Sequence, residues 1–323
     1  VHDLIKDKLL FFLKYSIGII LLVWVLSRVD RKSLLDSIIG LNIGEIAGIL
    51  FIALINLAFQ FNLWRILISS HSRQYNIGDL LPSFFAGFAF RLLIPGGHAE
   101  ITKIFLLRGR KRGKAIAFGV EKSFQTVFKI LVVLIALPVV FPQFKIIFWT
   151  LAVLTVTILS LAPLALKKDW FSKHLEKSVS YAKIFTISFI HSVPILLTIA
   201  WQYFYLLNLS FDITFFQTTL VTVFILGAGL IPISVSGLGI RENLAVFFLS
   251  RFAIPGYSAV AVSLLVFFIN SVIPAVIGVF IIFKRKHDLK DAGSEIKKLT
   301  QSVYRKGKQR YQDRKSRPNG QQS

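Results

Sequence analysis

Long apolar runs separated by short polar joints dominate this chain. Uninterrupted runs lie at residues 9–26, 43–63, 115–140, 146–166, 184–207 and 258–283. Each is about 18 to 26 residues, long enough as a helix to cross a hydrocarbon core. Two further apolar stretches, 80–107 and 215–249, are broken near their middles. Ile94-Pro95-Gly96-Gly97-His98-Ala99-Glu100 breaks the first, and Ile231-Pro232-Ile233-Ser234-Val235-Ser236-Gly237-Leu238-Gly239-Ile240-Arg241-Glu242 breaks the second. Proline interrupts a helix ladder and glycine admits positive φ, so each break predicts a hairpin of two helical arms that enters and leaves by one face. Lipid offers peptide groups no hydrogen-bond partner. Irregular backbone and a carboxylate at that depth therefore need protein or a water-filled cavity around them.

The pattern predicts an all-α polytopic integral membrane protein with six full spans and two re-entrant hairpins. Each half reads as two spans, a hairpin and a span. Three crossings per half place the second half upside down, so the hairpins are oppositely directed and the halves form an inverted repeat. Leu93-Ile94-Pro95 and Leu230-Ile231-Pro232 recur at matching places, each with a glutamate downstream. Secondary transporters use this construction, with the substrate site near the midplane where the repeats meet.

Charge placement orients the spans. Lys and Arg collect at 108–114, at 167–183 and after residue 283, whereas 141–145 and 208–214 carry almost none. The positive-inside tendency then puts both termini and the 108–114 loop in the cytoplasm, with the chain integral to the cytoplasmic membrane. Arg28, Arg31 and Lys32 run against this, partly offset by Asp30 and Asp36. The first run follows Lys6 and Lys8 but ends at Leu26-Ser27-Arg28 without a small-x-small cleavage pattern, so it is read as a retained span. Residues 1–283 form one transmembrane domain, and 284–323 a polar basic tail expected to be disordered.

Composition narrows the classes. With 54% hydrophobic and 17% charged residues and a formal net charge of +22, the chain is too apolar for a soluble domain. The basic residues sit between apolar runs and in the tail, where they meet anionic lipid headgroups, and nucleic acid is not an expected partner. Cysteine is absent, which excludes disulfides and thiolate chemistry. Neither a zincin His-Glu-x-x-His, a Walker lysine loop nor a Gly-x-Ser-x-Gly elbow occurs, so no enzyme activity, metal or cofactor is expected.

Candidate chemistry gathers at the breaks. Glu100 and Glu242 either handle substrate or protons, or serve only as helix caps or buried ion pairs, with Lys103 and Arg241 the nearest basic partners. Gly96, Gly97, Gly237 and Gly239 permit tight tips whose free N–H groups also suit an anion. Arg91 and Arg241 suit a phosphate; Arg91 equally suits one of the glutamates. Glu121, Gln125 and Lys129 recur every four residues as a polar stripe facing the protein interior, or as a bridge through Gln125. His191, Asn56 and Gln60 read as helix-packing contacts.

Phe85-Ala86-Gly87-Phe88, the run from Pro95 to Lys103, Glu121-Lys122 and the run from Pro232 to Glu242 together resemble the flippase-like transmembrane region of lysylphosphatidylglycerol synthases. The resemblance extends over residues 9–283. It implies translocation of a lipid with a polar or aminoacylated headgroup, the substrate-binding set being Arg91, Gly96, Gly97, Glu100, Glu121, Gly237, Gly239, Arg241 and Glu242. The chain departs from the family pattern at Ala99, Lys122 and Ser236, and no arginine precedes Pro274 near Phe267 and Phe268. The aminoacyl-transferase domain of full-length synthases has no counterpart in this sequence, so aminoacylation is not carried over. The expected partner is a membrane phospholipid or lipid-linked substrate. The alternatives are a scaffold or regulatory subunit of an envelope lipid or glycan synthesis system, and an intramembrane lipid-modifying enzyme.

Overall fold

The computed structural model describes residues 19–72, 74–93, 98–109, 111–165, 179–230 and 237–285. Gly96, Gly97, most of the predicted first span, most of the 167–183 loop and the tail beyond Arg285 lie outside them. Among the described residues the chain is all helical, with no strand. Residues 19–27 end a helix, followed by α1 (Arg31–Ile39), α2 (Ile43–His71) and α3 (Ile77–Leu93). A 3₁₀ helix (His98–Leu106), α4 (Lys111–Val140), α5 (Lys145–Ala165) and α6 (Tyr181–Leu207) come next. The chain then forms α7 (Phe215–Gly227), α8 (Ile240–Leu249), α9 (Gly256–Phe267) and α10 (Ile273–Lys284). A π turn, Phe268–Val272, joins α9 and α10.

Five helices are long and apolar enough to cross a membrane: Ile43–His71, Arg112–Val140, Pro142–Leu164, Tyr181–Leu207 and Gly256–Lys284. They match five of the six predicted spans, α2 running eight residues beyond the predicted end at 63. Large apolar side chains cover the outside, with Ile43 86%, Ile146 75% and Phe280 71% exposed. In water such a surface would be untenable; here it faces acyl chains. The chain is an integral membrane protein.

Each interrupted stretch is a helical arm, a break and a second helical arm, and the arms of each pair pack on one another. The second arm of the first pair is 3₁₀ rather than α. The two halves contact each other reciprocally. Helix α10 of the second half packs along α3, the first arm of the first half, while α4 of the first half packs along α7, the matching arm of the second. Both pairings are antiparallel: Gly278 meets Phe85 and Arg285 reaches Asp79, just as Lys129 meets Gly229 and Val133 meets Gly227. The remaining pair, α2 and α6, also runs antiparallel, and α5 lies on α4 as the end of the first helix lies on α9. Each half thus lends its last span to the first arm of the other.

Two glycines set the closest approaches. A Cβ on Gly278 would fall 2.1 Å from the Phe85 carbonyl oxygen, and one on Gly113 would fall 2.2 Å from that of His71. Small residues at such crossings let backbones approach, which in lipid replaces the hydrophobic effect as the source of helix association. Polar seams add to this. Asn56 donates to Ile195 O at 2.9 Å and to Thr198 Oγ1 at 2.6 Å, Gln60 donates to Asn56, and Asn62 pairs with His191 at 3.0 Å. Asn56, Gln60 and His191 are thus the packing contacts their sequence positions predicted, and Asn62 and Thr198 join them.

The 108–114 segment differs from expectation. Helix α4 begins at Lys111, and Lys114 is fully buried, donating to Leu107 O and Gly109 O at the end of the 3₁₀ helix. Helix ends leave carbonyls unsatisfied and carry negative partial charge, so a cation settles there. Lys114 is therefore not a headgroup-facing residue of a basic loop.

Candidate functional site

The 3₁₀ arm of the first pair carries the most densely charged part of the interior. With three residues per turn, positions i and i+3 eclipse, which stacks Glu100 and Lys103 on one side. Lys103, 2% exposed, donates to Glu100 Oε1 at 3.0 Å and to Glu121 Oε2 of α4 at 2.9 Å. Its ammonium also sits 3.8 Å from the ring centroid of Trp64 on α2. One cation thus ties three elements together. Gly87 on α3 makes the room, since a Cβ there would lie 2.9 Å from Lys103 Cδ and 3.3 Å from Glu100 Cγ. The arms are also tied by Ser83 Oγ, which donates to Lys103 O at 2.8 Å.

Helix α4 supplies the facing charges. Lys122 Nζ lies 2.7 Å from Glu100 Oε2, a charge contact off hydrogen-bond angle, and 3.3 Å from Gln125 Oε1. Gln125 donates to Glu121 Oε1 at 3.3 Å. The expected bridge from Glu121 through Gln125 to Lys129 does not form: Gln125 turns its oxygen to Lys122. Lys129, a turn further on, comes instead to Gly229 beside the second break, its Nζ 3.8 Å from where a Cβ would stand.

At the second break Gly237 and Gly239 have φ of 77° and 82°, the left-handed region that glycine enters without penalty. The Arg241 stem packs over Gly237, where a Cβ would lie 3.0 Å from Arg241 Cδ. Glu242 is fully buried and accepts from Gly239 N–H at 2.6 Å and from Ser263 Oγ at 3.3 Å. This is the carboxylate half of a capping box at the start of α8, satisfying an amide the helix cannot reach. Arg241 is not its partner. The guanidinium lies 5.0 Å over the Phe267 ring, with Nε buried and unbonded. Adjacent residues on a helix point about 100° apart, which separates the two charges.

Helix α4 carries charge from one pair to the other: Lys122 contacts Glu100 of the first pair, and Lys129, two turns on, comes to Gly229 beside the second break. Arg91, Lys122, Glu100 and Arg241 all act on Lys129 electrostatically, and Arg91 acts on Glu100. Arg91, over the Phe88 ring at 4.7 Å, keeps partial exposure, as do Lys129 and Arg241. Of the residues singled out in sequence, Arg91, Glu100 and Arg241 therefore meet around one interior region, with Glu121 joined through Lys103. Gly237 and Gly239 shape the second break beside them. Glu242 is sealed in its cap, and Gly96 and Gly97 lie outside the described residues. Sequence reasoning left Lys122, Lys129 and Trp64 out of the binding set. The spacing of Lys122 and Lys129, two helical turns apart on one face, was the available signal; nothing in sequence marked Trp64.

Among the described residues, five cations, Arg91, Lys103, Lys122, Lys129 and Arg241, thus share this region with two carboxylates outside the cap, Glu100 and Glu121. The described residues hold no cluster of His, Asp and Glu able to bind a metal. An excess of cations of this kind suits an anion.

Comparison with curated proteins gives no match. The family model for the lysylphosphatidylglycerol synthase TM region matches residues 11–278, which spans α1 through the first half of α10 and includes every charge of the site. By that match the chain belongs to the lysylphosphatidylglycerol synthase TM region family.

Proposed function

We propose that this protein moves a lipid with a polar headgroup between leaflets of the cytoplasmic membrane. The family fits a membrane protein associated with lipid handling, and the observation that carries the reading is the meeting of charges from both broken helix pairs around Lys129. In this mechanism the two pairs are oppositely directed re-entrant hairpins in an inverted repeat, and the charged region is open to water. The headgroup enters it while the acyl chains stay in lipid. Rocking of one half against the other exposes the region to each leaflet in turn. The protein performs no covalent chemistry on the lipid.

The test is leaflet exchange of fluorescent phospholipids in vesicles carrying the purified chain, which should exceed the rate of protein-free vesicles. Glu242→Gln should retain at least about half of that rate, because glutamine at this helix position still accepts the Gly239 N–H. Exchange no faster than the protein-free rate would favour the scaffold alternative. Loss of exchange in folded Glu242→Gln would give its charge a transport role.

The same reading places both termini and the 108–114 segment in the cytoplasm. The chain has no cysteine, so Arg112→Cys, at an exposed position, introduces a unique label. Maleimide should reach it only from the cytoplasmic side; labelling from outside alone would invert the topology and the hairpin assignment with it.

A further inference from the structure

We infer that Arg91, Lys129 and Arg241 form a phosphate site, and that the lipid it takes has an anionic headgroup with no ammonium. That the phosphate belongs to a lipid rests on the transport reading above. The charge accounting around the site carries the rest.

Every carboxylate near the site is already engaged. Lys103 and Lys122 take the two oxygens of Glu100 at 3.0 and 2.7 Å. Lys103 and Gln125 take those of Glu121 at 2.9 and 3.3 Å, and Gly239 and Ser263 take those of Glu242. The three outer cations are in the opposite condition. Among the described residues none of the three has a hydrogen-bond or ion-pair partner; the Arg91 guanidinium lies over the face of Phe88 and that of Arg241 over the face of Phe267. Arg241 Nε is buried with no acceptor. Arg91, Lys122 and Arg241 act on Lys129 as like charges, and Glu100, which opposes them, is itself doubly occupied. Unpaired cations inside a membrane protein are costly, and a bound anion removes that cost.

Two guanidinium groups and an ammonium approaching from α3, α4 and α8 match a phosphate, whose oxygens accept forked hydrogen bonds from arginine and a point contact from lysine. A headgroup bearing an ammonium would bring like charge to a region in which no described carboxylate is free to receive it. Phosphatidylglycerol or a phosphomonoester lipid fits; an aminoacylated lipid does not.

The experiment is equilibrium binding to the full chain in phosphatidylcholine nanodiscs, read by thermal shift. The titrants are phosphatidylglycerol, phosphatidic acid, lysyl-phosphatidylglycerol and inorganic phosphate. The two anionic lipids should bind at least about tenfold tighter than the lysylated one, about the weight of one charge-assisted hydrogen bond. Lys129→Gln should weaken phosphatidylglycerol about tenfold while leaving the lipid-free melting temperature unchanged or higher, because it removes an unpaired charge from among like charges. Arg241→Lys should keep more affinity than Arg241→Gln, which separates charge from packing if Lys129→Gln does not fold.

Equal binding of the lysylated lipid, or wild-type affinity in Lys129→Gln and Arg241→Gln, would overturn the inference. Displacement of lipid by inorganic phosphate would support a contact made through phosphate alone, whereas phosphate binding without anionic-lipid binding would overturn the lipid assignment. Binding is read without leaflet exchange, so the two readings fail separately: anionic lipids bound but not moved would sink transport and leave the site. Exchange indifferent to headgroup charge would do the reverse.

Discussion

Lys103→Met should be among the most damaging single substitutions in this chain, lowering stability by about 3–5 kcal/mol, as expected when one partner of a buried ion pair is removed. Lys103 is 2% exposed and bridges Glu100 and Glu121 at 3.0 and 2.9 Å over the Trp64 ring. The loss falls unevenly on its partners. Glu100 keeps Lys122 at 2.7 Å, whereas Glu121 keeps only the amide of Gln125 at 3.3 Å. The orphan is therefore Glu121. Lys103→Met with Glu121→Gln should recover at least about half of the lost stability, because the second change removes the uncompensated charge, and their non-additivity measures the coupling. Thermal unfolding of the purified variants in detergent gives both numbers. A double variant no more stable than Lys103→Met would assign the damage to lost packing against Trp64 and against the Phe118 ring, 5.3 Å from the ammonium, instead.

Gly278→Ala should cost about 1–3 kcal/mol by overpacking, and Gly278→Leu should leave no folded protein in the membrane. The added Cβ would stand 2.1 Å from Phe85 O, 2.7 Å from Phe85 C and 3.1 Å from Ala89 Cβ. The first two are backbone atoms of α3, which no rotamer change can move aside. Relief requires α10 and α3 to part, and α3 carries Arg91. Gly278→Ala should thus lower lipid binding along with stability, though residue 278 is not among the charges of the site. Gly119→Ala is the control, since a Cβ there meets nothing within 4 Å. Thermal unfolding and membrane yield decide the outcome; a Gly278→Leu protein that folds normally would mean the two helices are not held at this distance.

Glu100 and Lys103 were legible as a pair because the chain itself spaces them one turn apart, and local spacing survives whatever the tertiary fold does. Arg241 and Glu242 were misleading for the mirror reason. Neighbours in sequence suggested a pair, but helix geometry turns them apart and gives Glu242 the Gly239 amide and Ser263 hydroxyl. Lys114 misled as part of a basic run. Its carbonyl partners, Leu107 and Gly109, lie five to seven residues back, at the end of a 3₁₀ helix that hydropathy does not announce.

By itself the sequence determined what depends on one segment at a time: which runs are long and apolar enough to span, where proline and glycine break two of them, and that the broken pairs recur in the same order in each half. Those properties follow from hydrogen-bond satisfaction in lipid, which acts on each helix separately. Tertiary structure alone decided what depends on several segments at once. It set Trp64 beneath Lys103, gave Glu121 to Lys103 rather than Lys129, and brought Arg91, Lys129 and Arg241 from both halves to one place. Helix association in lipid rests on close packing at positions such as Gly278 and Gly113. One small residue resembles another in sequence, so only the folded contact tells which of them brings two charges together.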